Sequence, residues 1–311
     1  MRPIPMRSGW LVVSTLALLT GVSGCSDPTP KSDLYDSGDA IDDAAAIPAD
    51  ARYITHLLFA GPDGRSFFGV FDQSSQERQL TRQYDAWWSD GRTWQPLVNE
   101  RDTLPVPRAA WRILPTTEMA VRVGDVGQMV SLVFTPPDAM PVRLDAREAV
   151  SVWTSPTGQR ESLGLGVLQL EDNAGPGLLF FRRSARALSI LPTAGTSRTF
   201  VLADSLGNGL LFHTGDEQQP TVAHTWLHGT EAAWSGVVLE TLDPTEGAEE
   251  WSFRISGTDL HGNIRTRTGI INGNISSDIS SRPPPLAIEG VLFLGDEEFQ
   301  FLGLSTRLTL P

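Results

Sequence analysis

ITHLLFA (54–60), GPDGR (61–65) and SFFGVFD (66–72) are two runs of β-branched, aliphatic and aromatic residues joined by five residues of turn chemistry. Gly supplies positive φ, Pro fixes φ and Asp hydrogen-bonds its own backbone, so the three segments read as a β-hairpin. The same grammar recurs down the chain. EMAVRV and QMVSLVFT flank GDVG, EAVSVWT and ESLGLGVLQL flank the turn SPTGQR, and TFVLAD and LLFHT surround SLGNG. WSFRIS and NIRTRTGI flank GTDLHG, and LAIEGVLFL and FQFLGLSTRL flank GDE. About 15 to 17 strand candidates fall within residues 51–311, at the spacing of sandwiches and barrels. Turns this short join antiparallel neighbours, because parallel strands need long crossovers.

One stretch departs from that pattern. In SSQERQLTRQYDAWW (74–88) the larger apolar residues are Leu80, Tyr84, Trp87 and Trp88, and Ser74 with Glu77 has capping-box spacing. That i, i+4, i+7, i+8 set predicts a short helix near 75–88. The alternative is a second hairpin around Ser89-Asp90-Gly91, with Trp87 already in a strand. Leu191-Pro192-Thr193-Ala194-Gly195-Thr196 marks an internal boundary, dividing a first β domain (51–192) from a second (193–311). Each half is long enough for a barrel or a sandwich. No repeat strong enough to establish duplication stands out.

The first half runs AWRILPTTEMAVRVGDVGQMVSLVFTP and continues to SLGLGVLQLED; the second supplies FVLADSLGNGLLF and EEWSFRISG. This order resembles the lipocalin-like carotenoid hydratase family, which is built from two tandem β-barrels. The resemblance implies an all-β antiparallel fold of two tandem lipocalin-like barrels, with two β-sandwiches as the alternative. It also implies hydration of a hydrophobic, polyene-type substrate. The glycine–tryptophan–acidic cluster that the family carries between its barrels is not recognisable here, so no catalytic residue is carried over.

The N-terminus reads as an address. Arg2 and Arg7 precede a mostly apolar run from Trp10 to Val22, too short to span a bilayer as a helix and fit for a signal peptide (1–24). It ends in Val22-Ser23-Gly24-Cys25, which resembles the lipobox of bacterial lipoproteins. The resemblance implies cleavage before Cys25 and acylation of its thiol, with the membrane as partner through the lipid. Several acyl chains hold a protein firmly where one binds only marginally. Ser26 rather than Asp follows the cysteine, which by the sorting rule of enteric bacteria implies the outer membrane of the cell envelope. Beyond Cys25, residues 26–50 hold seven aspartates, three prolines and one lysine without an apolar period, the composition of a disordered, extended tether.

Charge and composition exclude several classes. The net charge of −13 argues against nucleic-acid binding. Cys25 is the only cysteine, so there is neither an intramolecular disulfide nor an all-thiolate metal site. Residues 51–311 carry 21 arginines, 30 acidic residues and no lysine, which removes Schiff-base, phosphate-loop and Ser–Lys chemistry from the body. No nucleophile elbow, zinc helix or dinucleotide fingerprint is present.

The remaining candidates are aromatic and imidazole side chains. AHTWLH holds His224, Trp226 and His228, which a strand would place on one face. Histidines four apart on a strand are about 13 Å apart, so they suit packing or proton transfer better than one metal. No metal or cofactor is expected. Glu231, Glu240, Asp259 and His261 are possible acid–base partners, the last two in a hairpin tip. Trp87 and Trp88 are the candidate lid of an aromatic-lined pocket, and Trp94, Trp111, Trp153, Trp234 and Trp251 suit either a pocket or the core. The expected function is that of an envelope-anchored, non-catalytic binding or scaffold module. Its partner would be a hydrophobic small molecule or an envelope protein; the alternative is a lipocalin-like hydratase. Metabolic labelling with a fatty-acid probe should mark the wild-type protein and not Cys25→Ala, and equal labelling of the two removes the lipoprotein reading.

Overall fold

A computed structural model of the chain describes residues 51–76, 79–105, 112–123, 129–136, 140–154, 159–187, 196–214, 222–242, 248–267, 271–272 and 283–309. The signal peptide, Cys25, the tether and the boundary at 192/193 lie outside them. The described residues belong to one compact unit, Ala46–Pro311. They form nineteen strands and no helix.

The first sheet contains β1 (Ala51–Ala60), β2 (Ser66–Gln76), β3 (Gln79–Ser89), β4 (Thr93–Pro105), β5 (Met119–Val123), β6 (Met129–Phe134), β7 (Val142–Thr154), β8 (Arg160–Leu170) and β9 (Asn173–Ala187). The second contains β10 (Thr196–Ala203), β11 (Gly209–Thr214), β12 (Val222–Leu227), β13 (Thr230–Ser235), β14 (Val237–Leu242), β15 (Glu250–Ile255), β16 (Leu260–Thr266), β18 (Leu286–Leu294) and β19 (Glu297–Thr309). Between its last members, β17 (Ile271–Asn272) crosses over and adds in parallel to β4 of the first sheet. Every other pairing is antiparallel.

The two sheets repeat one topology. Their orders are β4-β3-β2-β1-β9-β8-β7-β6-β5 and β13-β12-β11-β10-β19-β18-β16-β15-β14, so the first strand of each pairs with both its second and its last. In the second sheet β13 and β14 lie at opposite edges, yet only Gly236 separates them in sequence. A sheet whose two edges are one residue apart must be curled on itself, and a sandwich does not answer to that connection. In the first sheet, residues 112–118 lead from the β4 side to β5 and are pinned from within the barrel. Leu114 N donates to Tyr84 Oη at 3.0 Å, and Arg82 Nη1 donates to the Pro115 carbonyl at 2.8 Å.

The repetition reaches the backbone. β1 and β2 are joined by five residues in which Gly61 N donates to Arg65 O and Gly64 N to Gly61 O; β10 and β11 are joined by five in which Asp204 N donates to Asn208 O and Gly207 N to Asp204 O. Gly64 and Gly207 hold the same left-handed place, at φ 87° and 85°. At the last hairpin, Gly166-Val167-Leu168 with Leu170 and Asp172 matches Gly290-Val291-Leu292 with Leu294 and Asp296. A Cβ on Gly166 would sit 3.2 Å from the Asp145 carbonyl, and one on Gly290 3.2 Å from the Asn263 carbonyl. The duplication that was not evident in the sequence is therefore present in the fold.

Alternation assigns the two faces. Leu57, Phe59, Phe67, Phe71, Tyr84 and Trp88 fill the interior of barrel one, and Phe200, Leu202, Phe212, Trp251 and Phe253 fill that of barrel two. Ile54, Leu58, Phe68, Trp87 and Phe180 point the other way and share one cluster with Val201, Leu211, Leu304 and Leu308 of barrel two. That shared cluster is the seam between the barrels. It explains why every residue from Tyr53 to Ala60 is buried: each face of β1 has a core to join.

The helix expected near 75–88 does not form. Ser74 belongs to β2 and Leu80–Trp88 to β3, paired residue by residue from Ser74↔Thr81 to Phe67↔Trp88. Positions 80, 84 and 88 satisfy a period of two as well as a helical one. Trp87, which breaks strand alternation, is buried because the opposite face is covered too, in the seam. The SDG turn of the alternative reading is the one adopted, with Gly91 at φ 92°.

Leu58 is fully buried in the seam, so Leu58→Ala should cost about 3 kcal/mol. Because the cluster draws on both barrels, the loss should lower a single unfolding transition seen alike by tryptophan fluorescence and circular dichroism. Two separate transitions, only one of them moved, would contradict a shared seam.

Candidate functional site

A row of polar side chains crosses the seam face of barrel one. Trp153 on β7, Glu161 on β8, Arg182 on β9 and His56 on β1 are successive cross-strand neighbours. Glu161 is 2% exposed and Arg182 5%. Such burial is costly for either charge alone, and here each faces an opposite charge: Arg182 Nε lies 3.0 Å from Glu161 Oε1, though not aligned as a hydrogen bond. Trp153 Nε1 donates to Glu161 Oε2 at 2.7 Å.

Barrel two closes on this row. His213 on β11 brings Nε2 to 3.5 Å from Glu161 Oε2, and its Nδ1 meets Thr199 Oγ1 of β10 at 3.0 Å. Arg182 Nη1 donates to Ser197 Oγ at 3.3 Å. His224 on β12 lies flat on the Trp153 ring, with centroids 3.8 Å apart and planes 22° from parallel. It is 4% exposed, and neither of its ring nitrogens has a hydrogen-bond partner.

Burial dominates the electrostatics. It raises the Glu161 carboxyl above its usual range against the opposing pull of Arg182 and the Trp153 hydrogen bond. It lowers Arg182 despite Glu161. Desolvation, then the charge of Arg182, hold His213 well below the ordinary imidazole value. Desolvation alone pushes His224 down to about 4. At neutral pH both imidazoles are uncharged, beside a carboxyl that is easier to protonate than one in water. The set can accept and donate hydrogen bonds, hold a proton and exclude bulk solvent.

Solved structures similar to this chain include the following two. A Nitrosomonas europaea protein provisionally named AttH matches with a TM-score of 0.50 at 12% identity, over 92% of this chain and 99% of that one. The fold is lipocalin-like. Kievitone hydratase from Nectria haematococca matches with a TM-score of 0.46 at 9% identity, over 89% of this chain and 94% of that one. No protein-family model and no curated protein matches the sequence.

Within the lipocalin-like pair, the candidate residues part company. His224 lies in the seam cluster. Trp226 follows it on β12 and is half-buried. His228 lies beyond the strand in a turn at φ 52°, exposed, with Nε2 2.9 Å from Glu297 Oε2. The single face expected for all three therefore holds for the first two and ends where β12 ends. Trp87 is in the seam and Trp88 is inside barrel one, so the two do not form one lid. Glu231, Glu240, Asp259 and His261 are exposed and take no part in the cluster. Among the described residues, no three His, Cys, Asp or Glu side chains gather as a metal site.

Glu161, Arg182 and His213 were not singled out from sequence. Their signal is a charged or imidazole residue inside an apolar strand, as in LLFFRR (178–183) and LLFH (210–213). The hairpin repeat aligns Ala60 with Ala203 and Ser66 with Gly209 across equal five-residue turns. It makes Val70 the counterpart of His213 and Trp87 the counterpart of His224. The histidines therefore stand where barrel two departs from barrel one.

A histidine with a lowered folded pKa binds fewer protons folded than unfolded, so acid favours unfolding from about pH 6.5 down to about 4 for His224. The stability withdrawn across that window is about 3 kcal/mol. Glu161 acts in the opposite sense, since its raised carboxyl opposes folding as pH rises above its ordinary value. Chemical denaturation at pH 7 and pH 4.5 should show His224→Phe losing less stability on acidification than wild type. Equal losses would mean that His224 is not buried uncharged.

Proposed function

We propose that the protein is an envelope-anchored lipoprotein whose two-barrel body binds an apolar small molecule at the seam between the barrels, without turning it over. The carrying observation is His224: a buried, stacked imidazole with both nitrogens unpartnered beside a buried ion pair. Buried polar groups are nearly always satisfied, so an unsatisfied pair of nitrogens among tryptophan and phenylalanine points to something that is bound there. The lipobox ending at Cys25 and the acidic segment 26–50 support presentation from a membrane surface.

A second reading has an observation of its own. Glu161 is a carboxyl whose pKa burial raises, 3.5 Å from an imidazole whose pKa burial lowers. A protonated carboxyl can deliver its proton to a carbon–carbon double bond, and a neutral imidazole can take one from the water that adds. That is the chemistry of a hydratase acting on a polyene-type substrate.

The test uses the full-length protein. Polyenes and fatty acids are titrated against its tryptophan fluorescence, and the recovered ligand is then weighed by mass spectrometry. The binding reading predicts saturable quenching, weakened in His224→Phe, with the ligand recovered unchanged. A mass gain of one water, lost in Glu161→Gln, would establish the hydratase instead. No saturable quenching with any ligand would remove both.

A further inference from the structure

Each charged group of the seam cluster already faces a partner inside the cluster. Glu161 Oε2 accepts from Trp153 Nε1 at 2.7 Å, and its other oxygen lies 3.0 Å from Arg182 Nε. Arg182 also reaches Ser197 Oγ at 3.3 Å. His213 has Thr199 Oγ1 at 3.0 Å on one nitrogen and Glu161 Oε2 at 3.5 Å from the other. Carboxylate and guanidinium balance one another. His224 differs in kind: it has no charged neighbour on its ring nitrogens, no hydrogen-bond partner, and one face covered by Trp153.

We propose that the seam selects an uncharged amphiphile, an apolar molecule carrying a hydroxyl group, with that hydroxyl engaging a ring nitrogen of His224 and carboxylates refused. The inference rests on the seam-binding reading and narrows it to a ligand class. A neutral imidazole presents one N–H donor and one lone-pair acceptor, and a hydroxyl, which can both donate and accept, complements either nitrogen. A carboxylate can only accept. Its charge would enter a buried site whose single guanidinium is already matched by Glu161, so that one negative charge would stand uncompensated among Trp153, Phe180 and the seam aliphatics. An ammonium would likewise bring one uncompensated charge into the same apolar surroundings, beside an Arg182 already matched by Glu161. The surroundings of His224 are apolar and aromatic, with the Phe180 ring centroid 6.5 Å from that of Trp153 and 5.0 Å from that of His213.

The experiment titrates full-length protein at pH 7 with three probes of one chain length: dodecan-1-ol, dodecanoate and dodecane, read by tryptophan fluorescence. The alcohol should bind about tenfold or more tighter than the acid anion. His224→Phe keeps a ring on Trp153 and removes the nitrogens; it should weaken dodecan-1-ol by about fivefold and leave dodecane unchanged. His224→Gln, which retains a donor and an acceptor, should keep most of the alcohol's advantage. If dodecanoate binds as tightly as the alcohol or tighter, the ligand class is wrong while seam binding stands. Saturable binding that prefers the alcohol equally in wild type and His224→Phe overturns the role of His224. Binding of none of the three overturns the seam reading and this inference with it. Should His224→Phe fail to fold, the alcohol-against-acid comparison on the wild-type protein still decides the ligand class.

Discussion

The constraint on which this structure turns is that the central strands of the two sheets, β1 and β10 above all, are buried on both faces. Each barrel needs one face of its strands for its own interior, as Leu57 and Phe59 supply on β1. The other face of the same strands meets the second barrel, as Leu58 and Ala60 do. Where the seam covers the outer face of such a strand, a charge cannot rest in solvent. Arg182 on β9 points into that seam and is matched there by Glu161 on the neighbouring β8. Breaking such a pair by removing one partner is costlier than never having had it. The row Trp153–Glu161–Arg182–His56 lies on that protected surface.

The repetition of the two barrels gives this cluster a direction. The topologies coincide, and the first turns share length, hydrogen bonds and a positive-φ glycine. Against that equivalence the chemistry is one-sided. Barrel one contributes the tryptophan, carboxylate and guanidinium, whereas barrel two contributes the two histidines at positions where barrel one has Val70 and Trp87. The two like barrels therefore differ in such a way that their contact surface holds a mixed polar set drawn from both. Ligand sites commonly form where two domains meet, because both supply side chains without either core being opened.

Much of the fold was legible because turn chemistry is local. ITHLLFA, GPDGR and SFFGVFD form the hairpin they announce, with Ala60 opposite Ser66. The misreading of 75–88 as a helix has the same physical origin as the seam. With both faces buried, apolar residues cease to alternate, and Leu80, Tyr84, Trp87 and Trp88 imitate a helical stripe. The duplication left a trace in GVL followed by Leu and Asp, at 166–172 and 290–296, too short to establish a repeat by itself. The site was legible only in part. AHTWLH drew attention to His224, but Trp153, Glu161 and Arg182 come from strands far away in sequence, and only pairing brings them together. Period two predicts a common face for His224 and His228 only while the strand lasts, and β12 ends at Leu227.

Whether the seam holds a molecule decides the function of the two-barrel body. Native mass spectrometry of the protein released from the membranes of cells that make it tests this most directly. A discrete, uncharged small molecule bound to wild type and lost from a folded His224→Phe variant is the predicted result. A wild-type protein that retains only water, with its mass unchanged when the seam residue is replaced beyond the substitution itself, would contradict it.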